Sequence, residues 1–173
     1  KAKRSASRLL AILLVLTLCL GLLPAVALAE DVASELFFSQ YIEGKSNNKA
    51  LEIFNGTGKD VDLSAYSVEL HANGNVNANN TVNLSGTLSN GAVLVLYHAS
   101  SSDTLKSAAG SNAQPATVCN YNGEKIDYII LLKNGQEIDV IGSKTEQSIN
   151  HKDYNLVRNS NVTGPSAVYD EIQ

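Results

Sequence analysis

The three histidines are the residues best suited to acid–base or metal chemistry, yet their spacing predicts neither. His71, His98 and His151 lie far apart and belong to no H-E-x-x-H or H-x-H sequence, so a zinc site has no local signature. Serines are plentiful, but none sits in a G-x-S-x-G elbow. We therefore predict no catalytic residue and no cofactor, and we interpret each histidine as a surface residue.

Cysteine chemistry is equally limited. Cys19 lies in the leader segment described below, so Cys119 stands alone in the remaining chain and no intrachain disulfide forms there. Cys119 belongs to the short apolar stretch ATVCN. This setting favours a buried small hydrophobe over a nucleophile.

Calcium is the metal for which the sequence offers candidate ligands. Oxygen-bearing side chains lie within the segment SNNKALEIFN, at Asn47, Asn48 and Glu52, and just before it, at Glu43. Calcium sites, however, usually place several carboxylates at close regular spacing, and this loop has one. Asn47 and Asn48 suit turn geometries in which their amides bond to nearby backbone. We interpret the segment as a loop scaffold between the first two strands, with calcium binding as the alternative.

The first residues have the three parts of a secretory signal. The positive start consists of Lys1, Lys3, Arg4 and Arg8. The apolar run that follows, residues 9–23, is shorter than the roughly 20 residues that cross a bilayer. Ala27 and Ala29 then place small side chains before Glu30, as signal peptidase requires. We predict that residues 1–29 are cleaved and that the mature chain is secreted or lies at the cell surface, with a retained membrane anchor as the alternative.

Removing the leader makes the chain strongly acidic. The leader carries four of the 13 Lys and Arg and none of the 17 acidic residues, which leaves a net charge of −8. Such a surface repels phosphate backbones and disfavours nucleic-acid binding. The remaining 144 residues suit one domain with a real core. The partner that we expect is an extracellular protein, a cell surface or a polymer.

The elements that must position these side chains are β-strands. The segment from Asp127 to Gly142 has two apolar runs around Asn134-Gly135, a pair that suits the positive φ angles of a type I′ hairpin turn. Four more Asn-Gly pairs punctuate the chain. The predicted strands are 35–42, 50–55, 66–71, 81–84, 92–98, 128–133, 137–141 and 155–158. We therefore predict an all-β immunoglobulin-like antiparallel sandwich of about seven to eight strands.

Finer expectations follow from the alternation of side chains along these strands. Tyr66, Val68 and Leu70 should face the core while His71 faces water, and Asp139 should alternate outward between Ile138 and Val140. The segment 102–109 is the best helix candidate, with Asp103 as its cap, but its shortness and the Gly that follows favour a long loop.

Four blocks of sequence stand out together, and they are LFFSQYIEGKSNNKALEIFN (36–55), VDLSAYSVEL (61–70), LSGTLSNGAVLVLYH (84–98) and LLKNGQEIDVIG (131–142). In their order and spacing, the blocks resemble the lamin tail domain family of bacteria. Residues 155–158, NLVR, resemble the closing T-L-x-R strand of that family. One departure is visible, because many bacterial members read N-G-D-D-A where this chain has Asn122-Gly123-Glu124-Lys125. A cation-binding role at that position is therefore in doubt.

The resemblance implies an exported immunoglobulin-like module without catalytic residues of its own. It predicts a linker at 30–34, the domain at 35–160, and a tail or the start of a further linker at 161–173. The function that it implies is extracellular binding, adhesion or domain organisation. The alternative is the accessory N-terminal domain of an extracellular nuclease or metallophosphoesterase whose catalytic domain lies outside this chain.

Two loops and two aromatic side chains are the candidate contact surfaces of such a module. The loops, residues 72–80 and 99–114, are long and polar. The aromatic candidates are Tyr121 and Tyr154, each of which either is exposed or packs across an end of the sandwich. For residues 72–80, which are rich in Asn, a solvated hairpin end is the simpler interpretation.

Overall fold

The fold was obtained as a computed structural model, which describes residues 32–123, 127–146 and 151–169. The signal predicted at residues 1–29, with Ala27, Ala29 and Glu30 around its cleavage point, lies outside the described residues, as does Glu124. In the part of the chain that is described, no helix is both long and apolar enough to cross a membrane.

Eleven strands form nearly all the regular structure within the described residues. In chain order they are β1 (Phe37–Glu43), β2 (Lys49–Phe54), β3 (Val61–Asp62), β4 (Tyr66–His71), β5 (Asn80–Asn83), β6 (Thr87–Leu88), β7 (Val93–Tyr97), β8 (Ala113–Pro115), β9 (Tyr128–Lys133), β10 (Gln136–Ile141) and β11 (Asn155–Val157). One α-helix, α1 (Asp103–Ala108), and two 3₁₀ turns, Leu63–Ala65 and Thr117–Cys119, complete the elements.

The strands form two main sheets. The first has the order β11-β1-β2-β7-β8 and the second the order β10-β9-β4-β5, while β3 and β6 make a small separate ladder. All strand pairs described are antiparallel except β7 with β8. The predicted immunoglobulin-like sandwich is thus confirmed.

The core lies between the two sheets. Side chains from both inner faces form one buried cluster, as expected where alternate residues of each strand point inward. Its largest fully buried members include Phe38, Leu51, Leu70, Leu96, Leu131 and Tyr121. Tyr66, Val68 and Leu70 are all buried, so the predicted inward face of β4 is confirmed.

All eight predicted strands are present, and sequence reasoning missed three very short ones, β3, β6 and β8. It was also wrong about the segment 102–109, which contains α1 instead of a continuous loop. Ser102, not Asp103, caps the helix, because its Oγ accepts a hydrogen bond from the amide of Leu105 at 3.3 Å. Asp103 instead supplies a negative charge to the first turn.

The hairpin β9–β10 turns where predicted, with Asn134 at φ 50° and Gly135 at φ 75°. Its second strand contains a β-bulge, because Glu137 lies opposite Leu132 and Asp139 lies opposite Leu131. Ile138 is the extra residue. Each later residue of β10 therefore points to the face opposite the one that simple alternation predicts. Asp139 therefore lies on the same face as the buried Leu131, and the prediction that it points into water was wrong.

Candidate interaction surface

The Asn-rich loop, residues 72–80, connects β4 to β5 and is held in place by hydrogen bonds within the loop and to neighbouring residues. The amide of Ala72 donates to Oδ1 of Asn79 at 2.7 Å. The amide of Asn73 donates to Oδ1 of Asp127, also at 2.7 Å, and the amide of Asn79 donates to the carbonyl of Leu70 at 2.8 Å. Short Asn and Asp side chains thus replace the ladder bonds that the turn cannot make.

Two stacked rings, those of His71 and Tyr128, pack against this loop. The rings of His71 and Tyr128 lie parallel, with centroids 4.5 Å apart. Tyr128 donates its hydroxyl proton to the carbonyl of Asn75 at 3.1 Å, and Nδ1 of His71 lies 3.1 Å from the same oxygen. Nε2 of His71 lies 3.1 Å from Oε2 of Glu69. The loop covers His71, which is buried, so its predicted exposure was wrong.

The tip of the Asn-rich loop carries an apolar side chain into solvent. Val76 is 88 % exposed, the highest value among the large exposed hydrophobic residues of the described chain. An apolar residue on a braced turn is available for contact without first being ordered, which lowers the entropic cost of binding. The Asn-rich loop is therefore the strongest candidate contact surface.

The second candidate loop, residues 99–114, is tied to the connection between β1 and β2. The hydroxyl of Ser101 donates to the carbonyl of Asn47 at 2.8 Å, and the amide of Ser102 donates to Oδ1 of Asn48 at 2.8 Å. Asn47 and Asn48 therefore hold two loops together, in line with the scaffolding interpretation.

The other two calcium candidates have separate partners. Oε1 of Glu52 accepts from the hydroxyl of Ser39 at 2.7 Å, and Glu43 forms an ion pair with Lys49. Glu43 and Glu52 also lie at different positions of the β1–β2 ladder, opposite Lys49 and Gln40 respectively. No group of three or more His, Cys, Asp or Glu side chains in the described residues is arranged to hold a metal ion.

The pair Glu43–Lys49 forms the centre of a buried polar cluster at one end of the sandwich. Nζ of Lys49 lies 3.0 Å from Oε1 of Glu43 and also donates to the carbonyl of Tyr121. Oε2 of Glu43 accepts from the amide of Asp153 at 3.0 Å. Tyr121 is almost fully buried, and its hydroxyl donates to the carbonyls of Ile42 and Ala50. Of the two alternatives for Tyr121, packing is thus the one observed.

Gly123 makes this cluster possible because it has no side chain. Its φ is +64°, and an added Cβ would lie 2.5 Å from Oε2 of Glu43, 2.6 Å from the amide nitrogen of Lys152 and 2.7 Å from the carbonyl carbon of His151. The carbonyl of Gly123 accepts from the amide of His151 at 2.9 Å. The backbone here approaches a carboxylate and a neighbouring segment more closely than any other residue type allows.

A second buried ion pair joins the two sheets. Asp139 is 0 % exposed, and both of its oxygens accept from Nη2 of Arg158, at 2.9 and 3.0 Å. The amides of Phe38 and Ser166 also donate to it, at 2.7 and 2.9 Å. Burial raises the pKa of Asp139, and the Arg158 charge and the two amides offset part of that shift. Asp139 therefore fastens β10 to β1 and to the segment that follows β11.

The remaining reactive side chains are placed as follows. Cys119 is fully buried, as predicted, and burial raises its pKa to about 12. His98 is partly exposed, and its Nδ1 accepts from the amide of Ser100 at 3.0 Å. His151, expected at the surface, is buried, with its Nε2 2.6 Å from the hydroxyl of Tyr169.

A third polar group ties the start of the domain to the hairpin. Glu35 accepts hydrogen bonds from the hydroxyl of Tyr66, the ammonium of Lys133 and the amide of Leu36. Partial burial raises the pKa of Glu35, but these three donors outweigh it and the net shift is downward. The same contact with Glu35 raises the pKa of Lys133.

Comparison with known proteins agrees with this architecture. The model of the lamin tail domain family matches residues 30–145, which are 116 of the 173 residues. The matched range contains every strand from β1 to β10, whereas β11 and Arg158 lie beyond it. No curated protein matches the chain. The chain belongs to the lamin tail domain family.

Proposed function

We propose that this lamin tail domain is an exported, non-catalytic binding module that contacts its ligand through the Asn-rich loop. The exposure of Val76 on a braced turn carries the proposal. Loops fixed on a rigid sandwich are common binding sites, because the scaffold holds the contact residues in place. A preformed loop also loses little conformational freedom when a ligand binds.

The internal ionisable groups support a non-catalytic role. Asp139 accepts from a cation and from two backbone amides, and Glu43 accepts from a cation and from one. His71 is enclosed by its own loop, with both ring nitrogens beside oxygen atoms. These groups already have the partners that a buried charge or polar atom requires, so their burial has a structural explanation.

The charge of the mature chain narrows the choice of ligand. With a net charge of −8 after loss of residues 1–29, the domain repels polyanions. A neutral or basic ligand with an apolar contact suits Val76 better than a nucleic acid does. The partner class is therefore an extracellular protein, or a cell-surface component or polymer that is not strongly acidic.

Export is tested by the N-terminus of the protein that leaves the cell. The chain is produced with residues 1–29 in a bacterial host, and the product in the medium or periplasm is analysed by mass spectrometry. We expect it to begin at Glu30. A product that stays in the membrane with residues 1–29 attached would contradict export of a free domain.

Binding is tested by retention on intact cells and isolated envelopes of the source organism. The change Val76→Ser removes the exposed apolar side chain, and Val168→Ser makes the same change at a site that is 75 % exposed. We expect Val76→Ser to lower retention about tenfold or more, as the loss of a central contact does. Val168→Ser should leave retention unchanged. Equal retention of both variants and the unchanged protein would remove the Asn-rich loop as the binding surface.

A further inference from the structure

The edges of the two main sheets differ in how they are protected. The carbonyl of Ser166 occupies the edge of β10 by accepting from the amide of Val140 at 3.1 Å. The edge strand β8 ends in Pro115, which has no amide proton to offer. The edge strand β11 has none of these devices among the described residues.

The hydrogen-bonding groups of β11 alternate between its neighbour and the open edge. The amide of Glu43 donates to the carbonyl of Tyr154, and the amide of Arg158 donates to the carbonyl of Ser39. In an antiparallel ladder, residues 154, 156 and 158 therefore bond to β1. The N–H and C=O groups of Asn155 and Val157 point away from the sheet.

Exposed apolar side chains accompany this open edge. Val157 is 71 % exposed and Tyr154 is 57 % exposed, so two of the large exposed hydrophobic residues of the described chain lie on or beside β11. An open strand edge next to exposed apolar groups is the usual site for the addition of another strand.

We propose that β11 pairs with β11 of a second copy of this chain, in antiparallel orientation about a two-fold axis through Leu156. This register places Asn155 opposite Val157 of the second copy, and each such pair exchanges both of its N–H···O=C bonds. The two five-stranded sheets then form one continuous sheet. The interface is isologous and closed, which is the commonest symmetry of small oligomers.

The side chains around β11 are complementary to themselves in this register. Tyr154 lies opposite Arg158 of the second copy, whose guanidinium group stays in its ion pair with Asp139. The other opposed pairs are Asn155 with Val157 and Leu156 with its symmetry mate, so no like charges are opposed. Val157 and its symmetry mate are diagonal neighbours on one face of the sheet, within contact range.

The interface is small, so the dimer forms at high protein concentration. A three-residue strand lies at the low end of protein interfaces, where association is weak and reversible. Sedimentation of the chain over about a hundredfold range of concentration should show a mass that rises from monomer to dimer. Over the same range, the amides of Asn155 and Val157 should exchange with solvent progressively more slowly.

Two edge variants and two matched controls test the register. Asn155→Pro removes an outward N–H that β1 does not use, and Val157→Lys places a charge on the edge. Both should remain monomeric at every concentration, with melting temperatures close to that of the unchanged chain. Asn155→Ala and Val157→Thr keep the outward groups and should still dimerise.

Three results would overturn the proposal. The first is an unchanged chain that stays monomeric throughout, and the second is dimerisation of Asn155→Pro and Val157→Lys like that of the controls. In the third, the amides of Asn155 and Val157 become protected only when an extended peptide is added, which would make the edge a peptide site instead. Val76→Ser should dimerise normally, so failure of the dimer and failure of ligand binding by the Asn-rich loop are distinguishable.

Discussion

Asp139 and Arg158 form a buried ion pair that joins the strand β10 to the segment after β11, with both carboxylate oxygens about 3 Å from Nη2 of the arginine. The guanidinium group also lies over the ring of Phe37, 5.5 Å from its centroid. Arg158 lies beyond the residues matched by the family model. A residue outside the matched range thus neutralises a fully buried charge on β10.

The first prediction concerns Asp139. Asp139→Asn leaves the amides of Phe38 and Ser166 and the charge of Arg158 competing for one oxygen, and it places an amide donor against the guanidinium group. Removing one partner of a buried pair typically costs about 3–5 kcal/mol. Urea denaturation should show a loss of this size, and Asp103→Asn, which removes an exposed charge from the first turn of α1, should cost less than about 1 kcal/mol. A loss for Asp139→Asn no larger than that of Asp103→Asn would contradict the buried pair.

The second prediction concerns the close approach at Gly123. Gly123→Ala introduces both a left-handed strain of about 1–2 kcal/mol and a clash with backbone atoms of residues 151 and 152. Gly91→Ala has a similar φ of +75° but meets no atom within 4 Å, so it should show the strain alone. Melting temperatures should fall for both variants and clearly further for Gly123→Ala. Equal losses would mean that the segment after residue 150 does not pack against Gly123.

The third prediction is a dependence of stability on pH that arises from Glu35. Because the folded state lowers the pKa of Glu35, the unfolded state binds its proton more readily. The stabilisation is therefore present above the ordinary pKa of about 4.5 and is lost as the pH falls through the folded value. Glu35→Gln should be less stable than the unchanged chain at neutral pH, and the difference should shrink below about pH 4. A difference that stays constant with pH would show that the carboxylate is not paired with Lys133 and Tyr66.

The fourth prediction concerns Cys119, whose thiol is held in its neutral form by burial. With a pKa of about 12 and no exposed surface, it should not react with a thiol reagent in the native protein at pH 8. Full reaction should appear in denaturant. Thr104→Cys, on the exposed side of α1, should react at once under native conditions and serves as the control. Rapid native labelling of Cys119 itself would place it outside the core.

The strands and the turn of the central hairpin could be predicted from sequence because each depends on local residues. The alternation of side chains along β4 predicted that Tyr66, Val68 and Leu70 lie in the core, and the pair Asn134-Gly135 predicted the turn of the hairpin. The face of Asp139 could not be predicted in this way, because one bulged residue, Ile138, reverses the alternation without a distinct local signature.

The burial of the histidines depends on segments distant in sequence. His71 is covered by the Asn-rich loop and stacked on Tyr128, which lies 57 residues away. His151 is enclosed by Tyr41 and Tyr169, from β1 and from the segment after β11. Residue spacing alone gave no sign of either contact. The exposure of Tyr154, in contrast, is what its polar neighbours in the sequence predict.

The central claim is that Asp139 holds the two sheets and the C-terminal segment together, and amide hydrogen exchange tests it most directly. The amides of Phe38 and Ser166 both donate to this carboxylate, although 128 residues separate them in sequence. Both should exchange slowly in the unchanged chain, and both should exchange much faster in Asp139→Asn. The account would be contradicted if the amide of Phe38 is protected while that of Ser166 exchanges at the rate of an exposed loop. It would also be contradicted if the substitution changes the exchange of neither amide.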